Sequence, residues 1–182
     1  MIRAQAAHHD THKIAATEET LRSTLCLASS PSTPPTGPGY ATCLLLRAPK
    51  TPSITTTTNT LLSPPASPTS NDSSDDASVL GMAIYYPTYS TFAACPGLKM
   101  EDLYIRPEYR GAGYGTLLIQ ALADEVRKMG GTRLEWSCAR GNEATLGFYR
   151  ARGARQMDEW VGMRVEGEEL LSLAKRAQGI GG

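Results

Sequence analysis

From Val79 onward, apolar and polar positions follow regular periods. Val79–Tyr86 (VLGMAIYY) is a β-prone run ending at Pro87, and Leu98–Ile105 (LKMEDLYI) is a second run of strand length. Between Gly113 and Met129 the residues Leu118, Leu122, Val126 and Met129 recur at helical spacing. Asp124, Glu125, Arg127 and Lys128 cover the other face, and Gly130-Gly131 follows as a stop. Thr132–Cys138 (TRLEWSC) predicts a third strand, and Asn142–Arg152 a helix closed by Gly153. Val161–Val165 predicts a last strand and Glu168–Ala177 a short amphipathic helix. Upstream, residues 11–27 read as a helix with a start signal at Thr17 and with Leu21, Leu25 and Cys26 on one face. Tyr40–Leu46 (YATCLLL) reads as a short strand. Strands alternating with helices specify an α/β fold with some antiparallel strands on shorter loops.

Composition changes this picture in one place. Nine of the 12 prolines lie between Pro31 and Pro68. Residues 28–39 form a Pro/Ser-rich loop. Residues 48–78 are low-complexity, with consecutive threonines, Pro64-Pro65 and the acids Asp72, Asp75 and Asp76, a composition that buries too little apolar surface to offset its ordering entropy. The chain therefore divides into an N-terminal part (1–47), a disordered insertion (48–78), a catalytic core (79–176) and a tail (177–182). Eighteen Lys and Arg balance 18 Asp and Glu, which argues against a partner held through nucleic-acid phosphates. No run reaches the ~20 apolar residues of a membrane span, and Met1–Asp10 leads into no signal-like apolar run. Cys26, Cys43, Cys95 and Cys138 show no metal spacing, nor do His8, His9 and His12, so no metal and a reduced, cytoplasmic setting (the nucleus included) are expected.

The candidate chemistry sits in Arg110-Gly111-Ala112-Gly113-Tyr114-Gly115-Thr116, between a strand and a helix. Glycines allow backbone amides to converge, and a helix N-terminus adds partial positive charge, so such a loop can cradle a pyrophosphate, with Arg110 pairing from the side. A Walker loop requires Lys before the Ser/Thr, and none stands there. A dinucleotide fingerprint requires G-x-G-x-x-G, and the spacing here is G-x-G-x-G. A tight turn that merely joins strand to helix is the bland alternative. The loop lies in MEDLYIRPEYRGAGYGTLLIQAL, followed by GNEATLGFYRARGA. Together these strings resemble the Gcn5-related N-acetyltransferases (GNAT), whose R/Q-x-x-G-x-G/A motif is matched at every fixed position by Arg110 to Gly115. YYPTYST (Tyr85–Thr91), MEDLYIRPEYRG (Met100–Gly111) and FYRARGA (Phe148–Ala154) are similar to the diamine (spermidine/spermine) and thialysine acetyltransferase branch.

The resemblance implies a GNAT fold: a mixed central sheet with splayed parallel strands flanked by helices, here without the usual first strand, and with 48–78 in place of a short turn. It implies acetyl-CoA as co-substrate and a small-molecule amine acceptor in a direct ternary complex, without nucleic acid or membrane partners, in a homodimer. In this reading Glu101 contacts the acceptor amine and draws off its proton, while a solvent-facing acid is the alternative. Because consecutive strand residues face opposite sides, at most one of Glu101 and Asp102 is expected on the pocket, with Asp102 in a structural hydrogen bond. Leu103, Tyr104 and Ile105 match the strand that pairs with the pantetheine arm, Gly111–Thr116 hold the pyrophosphate, and Asn142 and Thr145 match the start of the helix that contacts CoA. Tyr149 matches the general acid that protonates the departing sulfur. A phenol, with a pKa of about 10, is a donor at neutral pH. Phe148 is expected in the core and Tyr149 free for the pocket.

Glu135, Trp136 and Ser137 border the acceptor site by resemblance, although an ordinary cross-strand ion pair accounts for Glu135 equally well. Arg150, Arg152 and Arg155 read as a solvated face, Cys138 as a small buried hydrophobe, and Trp160 as packing near the last strand or a subunit interface. Ser90 stands where polyamine-specific members carry an acid, which leaves a lysine-like amine or a small diamine open. A protein-lysine or N-terminal acetyltransferase, and an inactive CoA-binding module, are the alternatives.

Overall fold

A computed structural model describes residues 16–26, 39–48 and 79–178 of the chain. The three histidines, the start of the proposed first helix and nearly all of 28–39 and 48–78 lie outside the described residues. The chain divides into two compact units, Met1–Ser137 and Cys138–Gly182. Among the described residues no helix is long and apolar enough to cross a membrane.

The first unit is a sheet with one long helix. In chain order it runs α1 (Glu18–Thr24), β1 (Leu25–Cys26), β2 (Ala41–Arg47), β3 (Val79–Ser90), β4 (Cys95–Ile105), a 3-10 turn (Pro107–Tyr109), α2 (Tyr114–Lys128) and β5 (Leu134–Trp136). The strands lie side by side in sequence order, β2–β3 and β3–β4 antiparallel, β1–β2 and β4–β5 parallel. One face carries the buried cluster of Met82, Ile84 and Tyr104, with Leu25, Ala41 and Cys43 against it. The sheet residues buried on the other side are Ala83, Leu98 and Met100, and α2 lies across β2 to β5 with Leu118, Leu122 and Val126 buried. Leu118 and Leu122 are the largest fully buried side chains, at the helical spacing that the sequence shows. The acids and bases of the outer face pair along the helix, Lys128 Nζ lying 2.7 Å from Glu125 and 3.0 Å from Asp124. Such exposed pairs contribute little stability.

Several elements differ from the sequence expectation. Thr17 does cap α1: its hydroxyl accepts from the Thr20 amide at 3.1 Å, and its amide donates to the Thr20 hydroxyl at 2.9 Å. The helix stops at Thr24, however, and Leu25 and Cys26 leave it to pair with Ala41 and Thr42. A short apolar run does not separate helix from strand by periodicity, and the available strand partner decides. Strand β3 does not end at Pro87 but runs on to Ser90. Its pairing with β2 ends at Tyr85, so beyond that point β3 has a neighbour on one side only among the described residues, and a missing N–H is tolerated there. Met129 is 37% exposed as the C-cap of α2 rather than part of its buried stripe.

The second unit contains α3 (Glu143–Arg150) and α4 (Gly167–Gln178). Asn142 caps α3, and Gly153 follows its end with φ 83°. Val161–Val165 is not a strand. The segment finds no ladder partner among the described residues, and Val161 and Met163 are 80% and 89% exposed. Trp160, at 72%, is likewise exposed rather than packed.

Candidate functional site

Strand β4 brings the site together in the first unit. On one side β4 is paired with β3 along its whole length; on the other, β5 reaches only Leu98, Lys99 and Met100. The two parallel strands therefore part after Met100, and β4 continues toward Ile105 with no strand on that side among the described residues. Alternate backbone groups of Leu103–Ile105 face this opening, a row of hydrogen-bonding positions for an extended ligand.

The register shows a β-bulge at the start of the open edge. Tyr85 stands opposite Met100 and Ile84 opposite Asp102, so Glu101 has no partner on β3. Opposed residues share a face and neighbours in a strand do not. Met100 thus lies on the face of Tyr85, and Asp102 on the face of Ile84. Glu101, between them, joins Asp102 rather than opposing it, because the bulge inserts one extra residue. This corrects the expectation that only one of the two acids faces a given side. Two contacts agree with it. The Tyr86 hydroxyl, two residues from Ile84 on β3, donates to Glu101 Oε2 at 3.4 Å. On β2, burial and then the Asp102 charge push the Cys43 thiol up, and Cys43 stands opposite Ile84. The slip is visible in the sequence: the apolar alternation Leu98, Met100 resumes at Leu103, Ile105, out of phase by one. Tyr86 is the residue of this site that the sequence reading did not assign.

Beyond Ile105 the chain turns into a nest of amides. Arg110 Nε donates to the Ile105 carbonyl at 3.1 Å, and its guanidinium lies 5.8 Å from the centre of the Tyr104 ring, which leaves Nη1 and Nη2 without a hydrogen-bond partner among the described residues. Gly111 and Gly113 adopt φ 81° and 84°, and a Cβ built on either meets nothing within 4 Å. Gly113 is the N-cap of α2 and has no side chain with which to cap it. The amides of Thr116 and Leu117 turn back to the Gly113 carbonyl at 2.9 and 3.2 Å. Those of Gly111 to Gly115 have no acceptor among the described residues. Consecutive unsatisfied N–H groups at a helix N-terminus, under open space, form an anion site suited to a pyrophosphate. Arg110 contributes charge from the side and also ties the loop to the end of β4.

The acceptor-side residues on β5 divide differently. Arg133 Nε lies 2.8 Å from Glu135 Oε2, so the Glu135 charge is met by the residue just before its strand. Trp136 is half-buried and Ser137 exposed at the strand's end. Among the described residues no group of three or more His, Cys, Asp or Glu could hold a metal ion.

In the second unit, Asn142 Oδ1 accepts from the Thr145 amide at 3.1 Å, the capping role open to it in sequence. Leu146 and Tyr149, one turn apart, are the buried residues of α3. The expectation for Phe148 and Tyr149 is thereby reversed: Tyr149 is 8% exposed, while Phe148 is half-buried under the Arg152 guanidinium, 3.6 Å away. Helix phase explains the exchange, since Tyr149 shares the face of Leu146. Burial first, then the nearby Cys138, pushes the Tyr149 phenol up to about 12. It stays protonated across the physiological range, holding a proton in an apolar setting.

The sequence profile of the Acetyltransferase (GNAT) family matches residues 48–154. The chain is 35% identical over 104 residues to L-ornithine N5-acetyltransferase of Arabidopsis thaliana, covering 57% of this chain and 46% of that protein. It is 34% identical over 99 residues to thialysine N-epsilon-acetyltransferase of Bos taurus, covering 53% and 58%. The chain thus spans about half the length of these curated relatives. Among solved structures, an integron cassette protein from the mobile metagenome of V. cholerae superposes with a TM-score of 0.51 at 32% identity, over 54% of this chain and 60% of that one.

Proposed function

The chain belongs to the acetyltransferase (GNAT) family, and from that premise we propose that it transfers an acetyl group from acetyl-CoA to the primary amine of a small molecule of lysine-like or diamine type. The observation that carries this reading is the run of acceptor-less amides from Gly111 to Gly115, set where the open edge of β4 meets the N-terminus of α2. The two features suit the two parts of the donor, an anionic pyrophosphate and an extended amide-bearing arm. Acetyl-CoA, when bound, supplies the acetyl group as a thioester.

This chain's residues then have separate tasks. Gly111–Thr116 and Arg110 hold the diphosphate, and the backbone of Leu103–Ile105 holds the pantetheine arm. Glu101 takes a proton from the acceptor's ammonium group. The freed nitrogen bonds to the acetyl carbon as the carbon–sulfur bond breaks, Tyr149 gives its proton to the departing sulfur, and the second proton shed by the nitrogen returns through solvent to the phenolate, leaving a neutral amide and the free thiol. Glu101 and Asp102 on one face supply the negative charge that a cationic amine requires. Relatives named for ornithine and thialysine make an amino acid with a side-chain amine the leading substrate class. The test is a turnover screen with acetyl-CoA against L-ornithine, thialysine, lysine, putrescine, spermidine and a histone-tail peptide. The expected result is highest kcat/KM among the side-chain amines of the amino acids. Turnover confined to the peptide would overturn the small-molecule reading, and CoA binding without turnover on any amine would overturn the enzyme reading.

A further inference from the structure

The geometry points to Tyr86 as a positioning residue that holds the Glu101 carboxylate for its proton transfer, an inference resting on the acetyltransfer reading above. Glu101 is the inserted residue of the bulge, so no cross-strand partner fixes its backbone position or the direction of its side chain. It is exposed, and its one hydrogen-bond partner among the described residues is the Tyr86 hydroxyl. Tyr86 is half-buried and sits on β3 opposite Lys99, where the regular ladder on that side of the bulge fixes its backbone. A half-buried tyrosine loses little freedom on ordering, because only two torsions are involved, and so it makes a stiff support for a mobile carboxylate.

The neighbouring charges do not replace it. Lys99 and Asp102 share the face along β4, the Asp102 charge acts on Cys43 of β2, and on β5 Glu135 is engaged by Arg133. Of these elements only β3 presents a donor bonded to Glu101. The hydroxyl holds the carboxylate on the face of the sheet that Tyr86 shares.

The test compares Tyr86→Phe, Glu101→Gln and the double variant, using acetyl-CoA with L-ornithine or thialysine, whichever the screen shows to turn over faster. For Tyr86→Phe kcat falls roughly 2- to 10-fold, the effect of losing one hydrogen bond that orients a reacting group. KM for acetyl-CoA and the melting temperature stay near wild type. The double variant is no slower than Glu101→Gln alone, because the two residues act as one unit. If Glu101→Gln is slow while Tyr86→Phe keeps the wild-type kcat, Tyr86 has no positioning role and the acetyltransfer reading stands. If Tyr86→Phe loses stability and acetyl-CoA affinity along with kcat, or the double variant is slower than Glu101→Gln, its role is structural and the inference is overturned. If Glu101→Gln is as fast as wild type, the proton-acceptor reading itself falls. Should Tyr86→Phe fold poorly, Tyr86→His, which keeps a donor on a ring, provides the second test: recovery of the wild-type kcat supports positioning, and a kcat as low as that of Glu101→Gln with a normal KM for acetyl-CoA opposes it.

Discussion

Gly113→Ala tests the amide cradle against its own control on the same helix. Gly113, before α2, and Gly130, after it, both have positive φ, 84° and 69°, and a Cβ at either site meets nothing within 4 Å. Neither substitution therefore costs a clash; each costs the left-handed conformation alone, about 1–2 kcal/mol for an L-residue. For a chain of this size that lowers the melting temperature by roughly 2–4 °C per kcal/mol, and by similar amounts at the two sites. The sites differ in the amides around them. Gly113 lies within the run of amides that have no acceptor among the described residues. Gly130 lies in a chain reversal whose amides are already used, Gly130 to the Arg127 carbonyl and Gly131 to that of Val126. Displacing one charge-assisted bond between an amide and a phosphate oxygen costs about 1.5–3 kcal/mol, which is roughly 10- to 150-fold in Kd. Thermal unfolding checks the first quantity and calorimetric titration with CoA the second. Equal losses of CoA affinity in the two variants, or no loss in Gly113→Ala, would refute the cradle.

Other outcomes follow from single contacts. Tyr149→Phe lowers kcat about 100-fold while leaving the KM for acetyl-CoA near wild type, as expected for a lost general acid, and steady-state kinetics measure both. Burial raises the folded-state pKa of Tyr149 to about 12. Its contribution to stability is therefore complete below the ordinary phenol value of about 10 and is lost as pH rises from there toward 12. Urea unfolding of the wild type across that window shows a fall that Tyr149→Phe lacks. Asp102→Asn removes the second cause of the raised Cys43 pKa and leaves burial, the larger one. Alkylation of Cys43, followed by mass spectrometry, then begins at lower pH than in wild type but still above that of an ordinary thiol. Leu122→Ala, at a fully buried site of α2, destabilises by about 2–5 kcal/mol in chemical denaturation.

The legible parts of the molecule are those in which local chemistry and tertiary demand coincide. Leu118, Leu122 and Val126 form one stripe in the sequence and one buried stripe in α2. Thr17 and Asn142 cap their helices, and Gly111 and Gly113 of the Arg110–Thr116 loop take the positive φ values that such a cradle needs. Elements whose form depends on a distant partner were not legible in that way. Leu25 and Cys26 are strand because Ala41 and Thr42 lie beside them, and β3 passes through Pro87 because β2 has ended. Val161–Val165 has the composition of a strand and finds no ladder among the described residues.

What the sequence by itself determined is the α/β class, the position of the glycine loop before its helix, and the residue types available for holding an anion and moving protons. Periodicity, caps and turns are local, and each can be read from a few adjacent residues. Only the tertiary structure decided that β4 outruns β5, that a bulge turns Glu101 to the face of Asp102 and Tyr86, and that Tyr149 rather than Phe148 is buried. Register, facing and burial are relations between segments far apart in the chain, and a shift of one residue in register exchanges every side chain between the two faces of the sheet.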